Sequence, residues 1–212
     1  MEIDKAFWGI VGVIVGFVLT MIKDWWKQKA TLQKDRYYLS ILTVSKLDDF
    51  FGSSCAIVSD KGRYVQRGHE LEAYLEPQSE IPIFELNSID VDWRCLPQNL
   101  MFELLTFSSK VEQANRMIEG VSEYQATPPD FDEFFQERRY QYATLGLKAA
   151  DLAAELRKLS KLPKHEYGAE LWDPIADMLK EKNEIEAIRE QYRVIQQESA
   201  KPFVVNRAEA NL

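Results

Sequence analysis

Histidine and cysteine are scarce in this chain, with two of each: His69, His165, Cys55 and Cys95. Two cysteines make no disulfide framework. The four residues match no zinc-ligand spacing, and no Cys-x-x-Cys occurs. A carboxylate-bridged di-metal site in a helical bundle needs Glu-x-x-His on two helices. Gln66 and Leu162 stand three residues before the histidines, so that chemistry is excluded. Phosphate loops and nucleophile elbows are absent as well. The stretch Asn87, Ser88, Asp90, Asp92 is acidic but lacks the glycine and distal glutamate of a calcium loop, and reads as turn chemistry ahead of Pro97. No cofactor or metal is expected, and a catalytic role is disfavoured.

Positive charge is also in deficit. The net charge is −8, and residues 70–137 are strongly acidic, which argues against a nucleic-acid partner. No Asn-x-Ser/Thr acceptor occurs, in keeping with a cytoplasmic body.

The longest stretch without any charge is residues 6–22, AFWGIVGVIVGFVLTMI. As a helix it reaches roughly 26 Å, close to the roughly 30 Å of a hydrocarbon core. Trp8 at one end and Trp25 with Trp26 past the other form an aromatic belt, and Lys5 and Lys23 are placed to snorkel. The start MEIDK is not basic and no small-x-small cleavage site follows, so the segment is a retained span rather than a signal peptide. Basic residues crowd its C-terminal flank: Lys23, Lys27, Lys29, Lys34 and Arg36, against Lys5 before it. The positive-inside rule then gives a single-pass protein of the plasma (inner) membrane, with residues 1–5 outside and the C-terminus cytoplasmic. The basic collar at 23–36 suits anionic headgroups. Lys23, Lys27, Lys29, Trp8, Trp25 and Trp26 are its interface anchors.

Gly9, Gly12, Gly16 and Thr20 share one helical face, a stripe of small residues that permits close helix–helix approach and a homo-oligomer. A dinucleotide fingerprint is excluded for the same glycines, because no strand precedes them.

Four amphipathic helices are expected within residues 30–200. The first covers about 30–59, with a stripe at Tyr37, Ile41, Val44, Phe51, Cys55 and Val58. Neither glycine nor proline interrupts residues 18–51, so it can continue from the span. The second, about 97–124, has Leu100, Leu104, Phe107, Val111, Ala114, Ile118 and Val121 at heptad spacing, a coiled-coil-like pattern. The third opens after Thr127-Pro128-Pro129-Asp130 and carries Phe135, Arg138, Tyr142, Leu145, Ala149, Leu152, Leu156 and Leu159. The fourth starts at Trp172-Asp173-Pro174 and carries Ile175, Met178, Lys182, Ile185, Ile188, Tyr192 and Ile195. Residues 201–212 are a tail.

The fold expected is all-α: one N-terminal transmembrane helix, then a cytoplasmic antiparallel four-helix bundle with one long irregular link at 60–96. The second half of that link is apolar, so it should pack along the bundle; a lone strand there would have no partner. Arg138 stands on the apolar stripe of helix three. It is either a core charge paired with Glu103 or Glu112, a partner contact, or a side chain whose head reaches water.

The function expected is that of a membrane-anchored interaction or scaffold protein, whose partners are the lipid bilayer and a second protein. The alternatives are a signalling element coupling span to bundle, and a carboxylate- or metal-dependent enzyme built on Asp90 and Asp92.

Overall fold

The computed structural model describes residues 2–66, 73–86, 88–168 and 172–199, with the side chains of 2–12 and Ile14 outside the description. Four long helices dominate: α1 (Glu2–Val58), α2 (Gln98–Tyr124), α3 (Asp132–Ser160) and α4 (Pro174–Ser199). Between α1 and α2 lie a two-stranded hairpin, β1 (Arg63–Gln66) and β2 (Ala73–Glu76), and one 3-10 turn at Trp93–Cys95.

Helix boundaries follow local chemistry. The segment expected to span and the first bundle helix form one unbroken α1, as the lack of helix breakers permits. Asp173 caps α4 by accepting the N–H groups of Ile175 and Ala176, both at 3.1 Å, with Pro174 in the first turn. Thr127 does not cap α3. It closes a separate turn, its carbonyl accepting the Phe131 N–H at 3.0 Å, and α3 begins at Asp132 with Asp132 and Glu133 in its opening turn. At the other end of α3, Lys161 adopts the left-handed conformation (φ 54°) and Leu162 N–H bonds back to the Arg157 carbonyl at 2.9 Å. That is a Schellman ending with lysine where glycine is usual.

The chain divides into two compact units. Unit 1 comprises Met1–Phe50, Ile83–Val111 and Ala149–His165; unit 2 comprises Phe51–Pro82, Glu112–Lys148 and Glu166–Leu212.

In unit 1 the core is formed by Leu39, Leu47 and Phe50 of α1, Phe84, Leu86 and Ile89 of the link, Leu100, Leu104 and Phe107 of α2, and Leu152 and Leu156 of α3. Phe50, Phe84 and Phe107 meet edge to face, with centroids 5.5, 5.3 and 4.8 Å apart. The apolar half of the link therefore packs on the helices and has no strand among its described residues. Helix direction departs from the antiparallel expectation. Arg36 Nε donates to the Cys95 carbonyl at 2.8 Å, while Phe50 meets Phe107, so α1 and α2 run parallel. A parallel neighbour needs a returning connection, which is why the link is long and apolar. Against α1, α3 is antiparallel: Ser40 pairs with Ser160 at 2.6 Å and Asp48 with Arg157.

In unit 2, Asn115 accepts from Tyr142 at 2.8 Å, and Tyr140 reaches Glu186 at 3.1 Å, so α2, α3 and α4 alternate in direction. The hairpin pairs Arg63 with Glu76 and Gln66 with Ala73. It is pinned to the approach to α3 by Leu75 N–H on the Pro129 carbonyl at 3.0 Å and by Tyr64 on Asp130 at 2.6 Å. The strands thus lie in the polar half of the link, and each partners the other. Gly62 (φ 72°) turns the chain into β1 where an added Cβ would come within 2.7 Å of Leu75 and Phe135.

Two stripes need correction. The buried face of α1 is Leu39, Ser40, Thr43, Val44, Leu47, Phe50, Phe51, Ser54 and Ile57; Tyr37 and Ile41 are 49% and 41% exposed. Small hydroxyl residues sit inside the seam, so apolar residues alone give the wrong rotation. In α4 only Pro174, Met178 and Ile185 are buried, and Tyr192 and Ile195 are exposed. The stripes of α2 and α3 are buried as expected from Leu100 to Ile118 and from Phe135 to Leu156, with Arg138 among them.

Candidate functional site

Three features bear on function. The first is the N-terminal part of α1. Every described residue from Val13 to Lys34 is exposed, including Phe17, Leu19, Met21, Ile22, Trp25 and Trp26. So much exposed apolar surface between Val13 and Trp26 is unsatisfied in water. Lys29 stacks its ammonium 5.1 Å from the Trp25 ring centre, a cation–π contact that orders the collar. Lys23 and Lys27 are exposed on the same stretch. Thr20 donates its hydroxyl to the Gly16 carbonyl at 2.9 Å, satisfying itself within the helix. A Cβ on Gly16 would meet nothing within 4 Å, so that face is open. Trp8, Gly9 and Gly12 fall outside the residues with described side chains. Among the described residues no helix is long and apolar enough to cross a membrane. Residues 6–12 and 14 of the uncharged run lie beyond that statement.

The second feature is a buried ion pair in unit 2. Arg138 is 2% exposed and donates to Asp60 at 2.9 Å, whose side chain is 1% exposed. The partner is Asp60, just past the end of α1, and neither Glu103 nor Glu112. Arg138 also donates to the Ser79 carbonyl. Asp60 further accepts the backbone N–H groups of Gly62 (2.8 Å), Gln78 and Ser79 (both 2.9 Å). Burial pushes its carboxyl up, but the Ser79 N–H, the Arg138 guanidinium and the Gly62 and Gln78 N–H groups outweigh this and hold it at about 2. Four donors converge on this buried carboxylate, so the pair fastens the link to α3. Next to it, burial drives the Tyr142 phenol up to about 12, with Asn115 accepting its proton.

The third is the α3–α4 seam. Glu137 pairs with Arg189, Arg139 with Glu181 at 2.8 Å, and Glu186 accepts from Lys182 at 2.7 Å. The Arg189 guanidinium lies 4.1 Å from the Tyr140 ring centre. An open groove of about 610 Å³ beside it is lined by Met117, Val121, Tyr124, Glu133, Glu137 and Arg189. Of its two carboxylates, Glu137 is engaged by Arg189 and Gln141, and Glu133 accepts the Thr127 N–H at 3.3 Å.

The remaining sequence candidates do not assemble. Asp92 caps the 3-10 turn and is held by Arg94, accepting its N–H at 3.0 Å and its Nε at 2.9 Å. Asp90 is exposed, and Asn87 and His69 lie outside the described residues. Cys55 and Cys95 are both reduced, and burial pushes the Cys55 thiol up to about 11, away from thiolate reactivity. Among the described residues no group of three or more His, Cys, Asp or Glu is placed to hold a metal ion. Comparison with family models, with curated proteins and with solved structures finds no match for this chain.

Proposed function

We propose that this chain is a membrane-tethered interaction module: residues 6–22 cross the bilayer once, and the helical units on the C-terminal side hold a protein partner in the cytoplasm. The observation that carries the reading is the exposure of α1. From Val13 to Ile22 its large described side chains are apolar and exposed, two tryptophans and a basic collar follow, and the first described buried residue is Leu39. Lipid is the solvent that satisfies such a helix. Support for a non-catalytic role comes from the polar groups themselves, since Asp60, Arg138, Glu137 and Asp92 are each committed to structural partners.

The test has two parts. A reporter fused after Leu212 should be active only as a cytoplasmic fusion; activity on the outer side would sink the orientation. A photo-crosslinker at Tyr124, exposed beside the unit 2 groove, should trap one protein from membranes holding the full chain and less from a chain starting at Lys29. No adduct from either chain would reject recruitment.

One observation favours a signalling element as the second reading: α1 has no break between residue 2 and residue 58. Two glycines inserted after Ala30 separate the two. A tether tolerates the insertion, whereas a transmitted signal is lost.

A further inference from the structure

Unit 1 contains a cavity of about 370 Å³ lined by Lys29, Leu32, Gln33, Arg36 and Tyr37 of α1 and by Leu159, Ser160 and Lys161 at the end of α3. Three of these residues are cationic, and none of the lining residues is acidic. We propose that this cavity binds a phosphate-bearing group, either on a phospholipid headgroup or as a free phosphate. The inference goes beyond the tethering reading: every residue lining the cavity lies outside residues 6–22, and only its lipid form rests on a bilayer nearby.

Two details point to a built site rather than a scattered basic surface. Arg36 is held in place by its Nε, which donates to the Cys95 carbonyl at 2.8 Å. Its two terminal nitrogens have no partner among the described residues, which leaves a fixed fork of the kind that grips a phosphate with two bonds. Lys161 stands in the left-handed conformation that favours glycine, at φ 54°. A lysine there adds a cation to the lining at some cost in backbone strain. The last carbonyls of α3 are negative in sense and oppose an anion. One of them, that of Arg157, is covered by the Leu162 N–H, and three full positive charges outweigh the remainder. Leu32, Tyr37 and Leu159 give the cavity an apolar wall, which suits the glycerol or ring that carries a phosphate. By sequence, Lys161 has no place in the juxtamembrane collar, so a diffuse collar and a defined cavity make different demands on it.

The experiment uses the full chain in nanodiscs. In phosphatidylcholine discs, inorganic phosphate is titrated and its phosphorus-31 resonance followed. In a second set, discs are formed from phosphatidylcholine with a minor share of phosphatidic acid, and the lipid retained by the protein is counted by native mass spectrometry. Lys161→Gly is the chief variant, because glycine relieves the backbone and keeps the fold at least as stable. Removal of one cation should weaken binding about five-fold. Lys110→Gln, exposed on α2 and outside both the cavity and the collar, is the comparison and should change binding less than two-fold. Broadening by inorganic phosphate that Lys161→Gly diminishes assigns the free anion. Phosphatidic acid enrichment that Lys161→Gly diminishes, without inorganic phosphate binding, assigns the headgroup. No binding in either arm, or equal loss in Lys161→Gly and Lys110→Gln, overturns the cavity. Alkaline extraction of the same chain reports separately on the membrane reading, so the two failures are distinguishable.

Discussion

Replacing Arg138 by methionine removes the only side-chain cation on Asp60 among the described residues while keeping a stem of similar length. Asp60 then remains buried with three backbone N–H donors and no opposing charge. Breaking a buried pair by deleting one partner typically costs about 3–5 kcal/mol. The surviving N–H donors put Arg138→Met near the lower bound, about 3 kcal/mol. Asp60→Ala should cost more. It leaves the guanidinium with one carbonyl and strands three N–H groups, each worth about 1–3 kcal/mol if water stays out. That loss is comparable with the whole stability of a small domain, about 5–15 kcal/mol, so unit 2 should fail to form a cooperative fold. The pair also sets an acid dependence. The Asp60 carboxyl lies at about 2 when folded against 3.8 ordinarily. A depressed carboxyl stabilises the fold fully above the ordinary value and loses that contribution as pH falls from 3.8 toward 2. The shift corresponds to about 2–3 kcal/mol. Urea unfolding of the full chain in detergent micelles, followed by far-ultraviolet circular dichroism from about pH 7 down to about pH 1.5, spans that window and measures both effects. Arg138→Met should lower the neutral-pH stability and flatten the acid limb. A variant within about 0.5 kcal/mol of the parent, with an unchanged acid limb, would refute the pairing as a source of stability.

Gly62→Ala should destabilise by about 2–4 kcal/mol in the same urea assay, combining a positive φ with an overlap on Leu75 and Phe135; a neutral result would show that the turn relaxes freely. Leu145→Asp places a charge at a buried position of α3 and should cost about 4 kcal/mol or more, and a parent-like melt would contradict that assignment. Gly12→Ile should abolish a membrane two-hybrid self-association signal that Val13→Ile preserves, if the small-residue face packs against a second copy; an unchanged signal would reduce the stripe to composition.

Much of the helical fold was legible because apolar residues recur without interruption on α2 and α3, and because Asp173-Pro174 is a strong start signal. What escaped was fixed by partners distant in sequence. The face of α1 is lined by Ser40, Thr43 and Ser54, which apolar periodicity ignores and which a tight helix seam accepts. Parallel α1 and α2 could not be read from stripes, since a stripe carries no direction. Strands of four residues, RYVQ and AYLE, are too short to show alternation. Arg138 stood out on its stripe, yet Asp60 lies in the turn after α1, where helical spacing gives no pairing rule. The cavity was hidden for the same reason: Arg36 lies inside α1 and Lys161 just past the end of α3, and only packing brings them together.

Alkaline carbonate fractionation of cells, comparing the full chain with a chain starting at Lys29, tests the central claim most directly. Deleting residues 1–28 removes no described buried residue, since Val13 and residues 15–34 are exposed, and loses only local contacts such as that of Lys29 with Trp25. The full chain should remain in the membrane pellet and the shortened chain should move to the supernatant as a folded helical domain. A full chain released by carbonate, or a shortened chain retained like the full one, would contradict anchoring through residues 6–22.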